Sequence, residues 1–227
     1  MTHAWRPCCA ETAAVSPRPA SGLEPHPRGD LTTATIQDRL QQIAITLAGV
    51  TRRGSLPEIF GAAWHRFQLG PRLDEDAVST FERRHDVVLP ADYRAFITTV
   101  GIDGPGPYGG AGPFYGLMGL HNWAEALDGE AHDGALATPY PVHPDRTDGP
   151  FCYGTLDAGS DAVRYTGTLT LCHAGCGDMA VLVVTGPSRG RVAYTGTSPP
   201  LFARDPDFLS WYERWLDAAL RGETSFW

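Results

Sequence analysis

No lysine occurs at any of the 227 positions, so the eighteen strongly basic residues are all arginine. That absence removes several chemistries. There is no Walker-type lysine to reach a phosphate, no amine for an internal Schiff base with a pyridoxal cofactor, and no lysine general base. Asp and Glu outnumber Arg by 26 to 18, giving a formal net charge of −8. This balance argues against a nucleic-acid binder, whose affinity comes from cations meeting phosphates. Apolar runs are short, and none approaches the ~20 residues of a membrane span. Met1 to Asp30 is rich in Pro, Ala and Ser and lacks the apolar stretch of ~7–15 residues found in a secretory signal. Cysteine is scarce: Cys8, Cys9, Cys152, Cys172 and Cys176. An odd count at irregular spacing fits a reducing cytoplasm better than a disulfide framework.

The length suits one domain of about 150–200 residues plus a tail. Such a chain buries roughly 70% of its unfolded surface and needs neither disulfides nor metal to fold. Residues 1–30 are expected to be a disordered leader that cannot bury enough surface to offset its ordering entropy, and 31–227 a single domain. Charge is unevenly spread. Residues 1–120 hold twelve acids and eleven Arg, residues 121–180 nine acids and two Arg, and residues 181–227 five of each. Nearly the whole imbalance therefore lies in one window with a net charge of −7. Such a window is either a solvated, loop-rich face or a docking surface for a basic partner.

Periodicity predicts helices first. Ile36, Leu40, Ile43 and Leu47 form one apolar stripe, with Gly49 as its expected end. Asp74 opens a second helix with acids in its first turn and apolar positions at Ala77, Val78 and Phe81. Pro90 starts a third, with Tyr93, Phe96, Ile97 and Val100 facing the core and Gly101 as the stop. Residues 101–119 are a glycine- and proline-rich run that no regular helix survives. Tyr115 to Leu120 is expected as a short strand and Trp123 to Leu127 as a short helix. Val163 to Leu171, Met179 to Val184 and Arg191 to Tyr194 read as strands, the last two joined by a turn through Gly186 and Gly190. Asp205-Pro206-Asp207 caps a closing helix whose apolar face holds Phe208, Trp211, Tyr212, Trp215, Leu216 and Ala219, ended by Gly222. Helices, then strands, then one helix make an α+β fold rather than a βαβ parallel sheet.

No catalytic constellation emerges. Gly104-Pro-Gly-Pro-Tyr-Gly109 matches G-x-G-x-x-G literally. That fingerprint works between a strand and a helix, whereas here a helix precedes it and prolines remove amides a phosphate needs. Cys172-His173-Ala-Gly-Cys176 gathers two thiols and an imidazole, yet a structural zinc needs four ligands and the second pair is missing. A cysteine nucleophile would need His173 and Asp178 aligned with it, but adjacent strand residues point to opposite faces. Trp211, Tyr212 and Trp215 read as a core face. Tyr108, Phe114 and Tyr115, set among glycines, are either partner anchors or plugs of the core.

Several blocks in order resemble the SUKH superfamily, specifically its Smi/Knr type. They are Phe81-Glu82 followed by Leu89-Pro90-Ala-Asp-Tyr93-Arg94-Ala-Phe96; Gly110-Ala-Gly-Pro-Phe-Tyr-Gly-Leu117; Leu169-Thr-Leu-Cys-His-Ala-Gly-Cys-Gly177 with Val181 to Val184 and Gly190-Arg-Val192; and Phe208-Leu-Ser-Trp-Tyr-Glu-Arg-Trp-Leu216. The matches span about residues 56–222. Where the family usually has Asn-Gly after its LP helix, Gly101-Ile-Asp-Gly104 stands here. The resemblance implies a mixed, mainly antiparallel sheet with N-terminal helices and a closing helix. It also implies a non-catalytic protein binder: in bacteria an immunity protein that neutralises a secreted toxin, often a nuclease, and in fungi a regulatory scaffold. No cofactor and no metal is implied.

Together these readings predict a cytoplasmic module that blocks a basic toxin domain by occlusion, through an acidic surface with a few aromatic anchors. Docking then becomes the preferred reading of the acidic window. The residues placed nearest that surface are Asp103, Tyr108, Tyr115, Asp157, Asp161 and Asp178. The alternatives are a non-toxin scaffold and a thiol- or zinc-dependent hydrolase using Cys172, His173 and Cys176.

Overall fold

Leu40, Ile43, Leu47 and Val50 recur at steps of three and four and are all buried, which makes α1 (Ile36–Arg53) an amphipathic helix. The computed structural model describes residues 35–53, 55–127, 133–144, 152–156, 165–196 and 200–223. The chain divides into two units, Met1–Thr33 and Ala34–Trp227. Every described residue belongs to the second, so the expected leader lies outside the described residues. Thr35 and Asp38 cap α1 reciprocally: the Asp38 N–H donates to the Thr35 hydroxyl at 3.2 Å and the Thr35 N–H to the Asp38 carboxylate at 3.1 Å. Gly49 does not end the helix. α1 continues to Arg53 because one more turn buries Val50 and places Arg52 and Arg53 at the negative end of the helix dipole. Ile36, expected on the buried stripe, is half-exposed at the first turn.

The next helices match their capping signals. α3 (Glu75–His85) starts where the Asp74 carboxylate accepts from the Ala77 N–H at 2.6 Å. α4 (Ala91–Thr99) follows Pro90, which is its N-cap, and buries Tyr93, Phe96 and Ile97. Between α1 and α3 lies a single-turn helix, α2 (Ala62–His65), which has no periodic signal in the sequence. α5 (Phe208–Leu220) closes the fold. Its N-cap Asp207 accepts from the Ser210 N–H at 2.7 Å, and Phe208, Trp211, Tyr212 and Trp215 are buried. Arg39 of α1 grips Glu213 of α5 with contacts of 2.9 and 2.7 Å. Asp92 of α4 accepts from the Leu209 N–H at 3.1 Å. Polar ties thus fix α1 and α4 to α5 around an apolar interior.

Among the described residues the sheet has six strands in the order β1-β2-β6-β5-β4-β3, and every pairing is antiparallel. They are β1 (Val142–Pro144), β2 (Cys152–Leu156), β3 (Thr168–Gly175), β4 (Asp178–Val183), β5 (Val192–Thr195) and β6 (Leu201–Phe202). β4 lies between β5 and the edge strand β3 and is buried on both faces. Ala180, Leu182 and the following Val184 join the core shared with the helices, whereas Val181 and Val183 join a smaller cluster with Tyr140, Val142, Ala193 and Phe202. β1, β2 and β6 are too short, and lie in sequence too polar or too irregular, to announce themselves. The segment Tyr115 to Leu120 is not the expected strand. It is loop, with Leu117 bridged to Gly110, and it leads into a 3₁₀ turn at Leu120–Asn122. A second 3₁₀ turn at Glu125–Leu127 stands where a short helix was expected.

This loop protects the outer edge of β3. The Met118 N–H donates to Leu171 O at 2.8 Å, the Tyr115 N–H to His173 O at 3.4 Å, and the Thr170 N–H to Trp123 O at 2.8 Å. An open edge would template pairing with another chain, and the loop removes that hazard. A register shift between Thr170 and Cys172 leaves Leu171 as an extra residue. The bulge lets Leu171 and Cys172, neighbours in sequence, both enter the same core.

Candidate functional site

Gly61 adopts a left-handed conformation, φ 87°, directly before α2. A Cβ there would overlap the carbonyl oxygen of Phe114, so the turn at α2 is pressed against the glycine loop. Within α2 the side chains divide. Ala62 and His65 are buried, and His65 anchors the turn. Its Nδ1 accepts from the Phe67 N–H at 3.0 Å, so the imidazole is neutral with its proton on Nε2. Its ring meets Phe67 and Trp215 edge-on. Burial lowers its pKa from the usual 6.5 to about 4. Nε2 has no hydrogen-bond partner among the described residues. With His65 locked inward, Phe60 and Trp64 point out.

They meet the glycine loop. Trp64 stacks on Tyr115 with centroids 5.5 Å apart and planes 5° from parallel. Phe60 stands edge-on to both, at 5.4 Å from Trp64 and 4.9 Å from Tyr115. Tyr108 crosses Tyr115 at 5.2 Å and the His173 ring at 5.5 Å. Beyond it, His173 Nε2 lies 3.5 Å from the Glu125 carboxylate. Three of the rings remain well exposed: Phe60 by 54%, Tyr108 by 47% and Trp64 by 41%. Singly, an exposed aromatic needs no explanation; an array of touching rings on one surface is a candidate interaction site. Aromatic pairs add about 0.5–1.5 kcal/mol each beyond their burial. The rings therefore hold one another in place.

Of the sequence-predicted site residues, Tyr108 and Tyr115 are brought together in this array. Asp178 is half-buried at the start of β4, paired with Gly175 across the hairpin turn, and a Cβ on Gly175 would lie 3.6 Å from the Tyr115 ring. Asp103 serves the loop itself. It takes the left-handed conformation, φ 62°, and its carbonyl accepts from the Gly70 N–H at 2.9 Å. Asp157 and Asp161 lie outside the described residues. So do most acids of the 121–180 window, of which Glu125, Asp133 and Asp178 are described.

Phe60, Trp64, His173 and Glu125 were not foreseen as members of one surface. Phe60 and Trp64 are four residues apart, a spacing that reads as a buried helical pair. His173 reads in the sequence as a companion of the thiols Cys172 and Cys176. The thiol cluster is not assembled. Cys172 is fully buried, and burial pushes its thiol well above the ordinary range. Cys176 is exposed at the hairpin turn with φ 54°. Among the described residues, no group of three or more His, Cys, Asp or Glu could hold a metal ion. The Gly104–Gly109 segment is not followed by a helix, and an isolated bridge from Gly106 to Gly109 folds it into a tight turn. Trp211, Tyr212 and Trp215 form core, as their spacing predicts. Among the described residues no helix is long and apolar enough to cross a membrane.

No protein-family model, no curated protein and no solved structure matches this chain.

Proposed function

We propose that the chain is a cytoplasmic protein-binding module without catalytic activity, an immunity-type protein of the kind its SUKH-like blocks suggest. It would neutralise a cognate toxin domain by binding and occluding it. The observation that carries this reading is the array of Phe60, Trp64, Tyr108 and Tyr115: touching aromatic rings from two chain segments, three of them exposed, with the half-buried Tyr115 at their centre. Such rings are the usual hot-spot residues of protein interfaces, where a few anchors carry most of the binding energy. The excess of acids supports a basic partner, because complementary charge speeds encounter and excludes wrong partners.

The test is co-expression with toxin domains encoded beside the gene. Wild-type protein is expected to restore growth and to form an isolable complex with one of them. Phe60→Ala combined with Trp64→Ala is expected to weaken that complex at least tenfold while the protein stays folded, since each truncation at a hot spot removes about 1–2 kcal/mol or more. Full protection by the double variant would refute the role of this surface. No protection by the wild type against any neighbouring toxin would leave the scaffold reading in its place.

A further inference from the structure

Aromatic rings and an acid form one continuous run on this surface, from Trp64 through Tyr115, Tyr108 and His173 to Glu125. We propose that the Tyr108–Glu125 end of the run is an arginine-binding site, taking a guanidinium displayed by the protein partner. This rests on the docking role proposed above and names the chemistry of the partner's anchor.

The physical case is as follows. The Tyr108 ring lies at 71° to Tyr115 and 68° to His173, so neither neighbour stacks flat on it, and it is 47% exposed. An exposed phenol ring attracts a cation through its quadrupole. Among the described residues no cation takes that place: there is no lysine in the chain, and the one cation–π contact described is Arg191 over Phe202, 5.0 Å from its centroid. The Glu125 carboxylate stands one ring further along, exposed and 3.5 Å from His173 Nε2. It belongs to the window that carries a net charge of −7. A run of rings with a carboxylate at its end suits a guanidinium, which is planar, stacks on aromatic rings and donates paired N–H bonds to a carboxylate. Ammonium is more strongly hydrated and cannot make the paired bonds, and an anion would be repelled by Glu125.

The probe is a short glycine peptide with two arginines, titrated into the full chain and followed by amide and side-chain NMR shifts. Matched peptides carry lysine or citrulline. The expected result is saturable shifts centred on Tyr108, His173 and Glu125 at millimolar peptide, with lysine weaker and citrulline at least about tenfold weaker. Glu125→Gln is expected to weaken arginine binding roughly fivefold and Tyr108→Leu similarly, while Tyr108→Phe, which keeps the ring, binds as wild type. Equal binding of the citrulline peptide, shifts centred elsewhere, or no shift at all would overturn the inference. The docking role fails differently. If Phe60→Ala with Trp64→Ala destroys toxin capture but Glu125→Gln spares it, the arginine site is wrong and the docking surface stands. If neither affects capture, both fall.

Discussion

The phenol of Tyr212, on the closing helix, donates to the backbone carbonyl of Ala111 in the glycine loop at 2.8 Å, and both residues are fully buried. On the other side of Ala111, its N–H donates to Gln68 O at 2.8 Å. One residue of the loop is thus held between α5 and the segment after α2. This pins the loop that presents Tyr108 and Tyr115.

Removing that hydroxyl leaves a buried carbonyl without its partner. Tyr212→Phe is therefore expected to lower unfolding free energy by about 1–2 kcal/mol, with the core volume conserved. Urea denaturation measures it. An unchanged midpoint at an unchanged slope would show that the contact contributes nothing net.

His65 predicts an acid sensitivity. Its pKa falls from 6.5 to about 4 on folding because burial penalises the charged ring. Below pH 6.5 the unfolded chain takes up a proton that the folded chain refuses. The stability contribution is thus full above pH 6.5 and is lost as pH drops towards 4, by about 3 kcal/mol across that window. Carboxylates titrate there too, so the readout is a difference. His65→Asn keeps an acceptor for the Phe67 N–H but does not titrate, and its stability is expected to fall less steeply over the same range. Parallel slopes for the two proteins would rule out His65 as the source.

Two glycines predict opposite shifts. A Cβ on Gly49 meets nothing within 4 Å, and the residue lies inside α1. Gly49→Ala is expected to stabilise by about 0.5–1 kcal/mol, because alanine loses less backbone entropy in a helix. A Cβ on Gly110 would overlap the Asp103 carbonyl oxygen, which is backbone and cannot swing aside. Gly110→Ala is expected to destabilise by more than ~2 kcal/mol and to loosen the loop. Thermal melts read both, and a shift of the same sign in the two variants would contradict this account of the loop.

Much of the fold was legible because its signals are local. Asp74 and Asp207 cap the helices they were expected to cap, since a carboxylate satisfies the amides of its own first turn wherever the helix goes. The unbroken apolar run from Met179 to Val184 marked a buried strand, and its two faces join two core clusters. What escaped was short or non-local. β6 is two residues long and exists only because β5 and β2 flank it. The β3 bulge depends on the partner strand, and the continuation of α1 past Gly49 depends on a core waiting for Val50.

The candidate site separates the two kinds of information most clearly. Trp211 and Trp215 are aromatics four residues apart, and so are Phe60 and Trp64. The first pair is buried and the second exposed. Sequence by itself determined the α+β class, the caps, the glycine loop and its aromatic tyrosines, and the lack of any lysine. Only the tertiary structure decided which aromatic pair faces water, because exposure belongs to a residue's neighbours rather than to the residue. α5 lies against the core with its aromatic face inward, whereas the single turn of α2 turns His65 inward and leaves Phe60 and Trp64 at the surface.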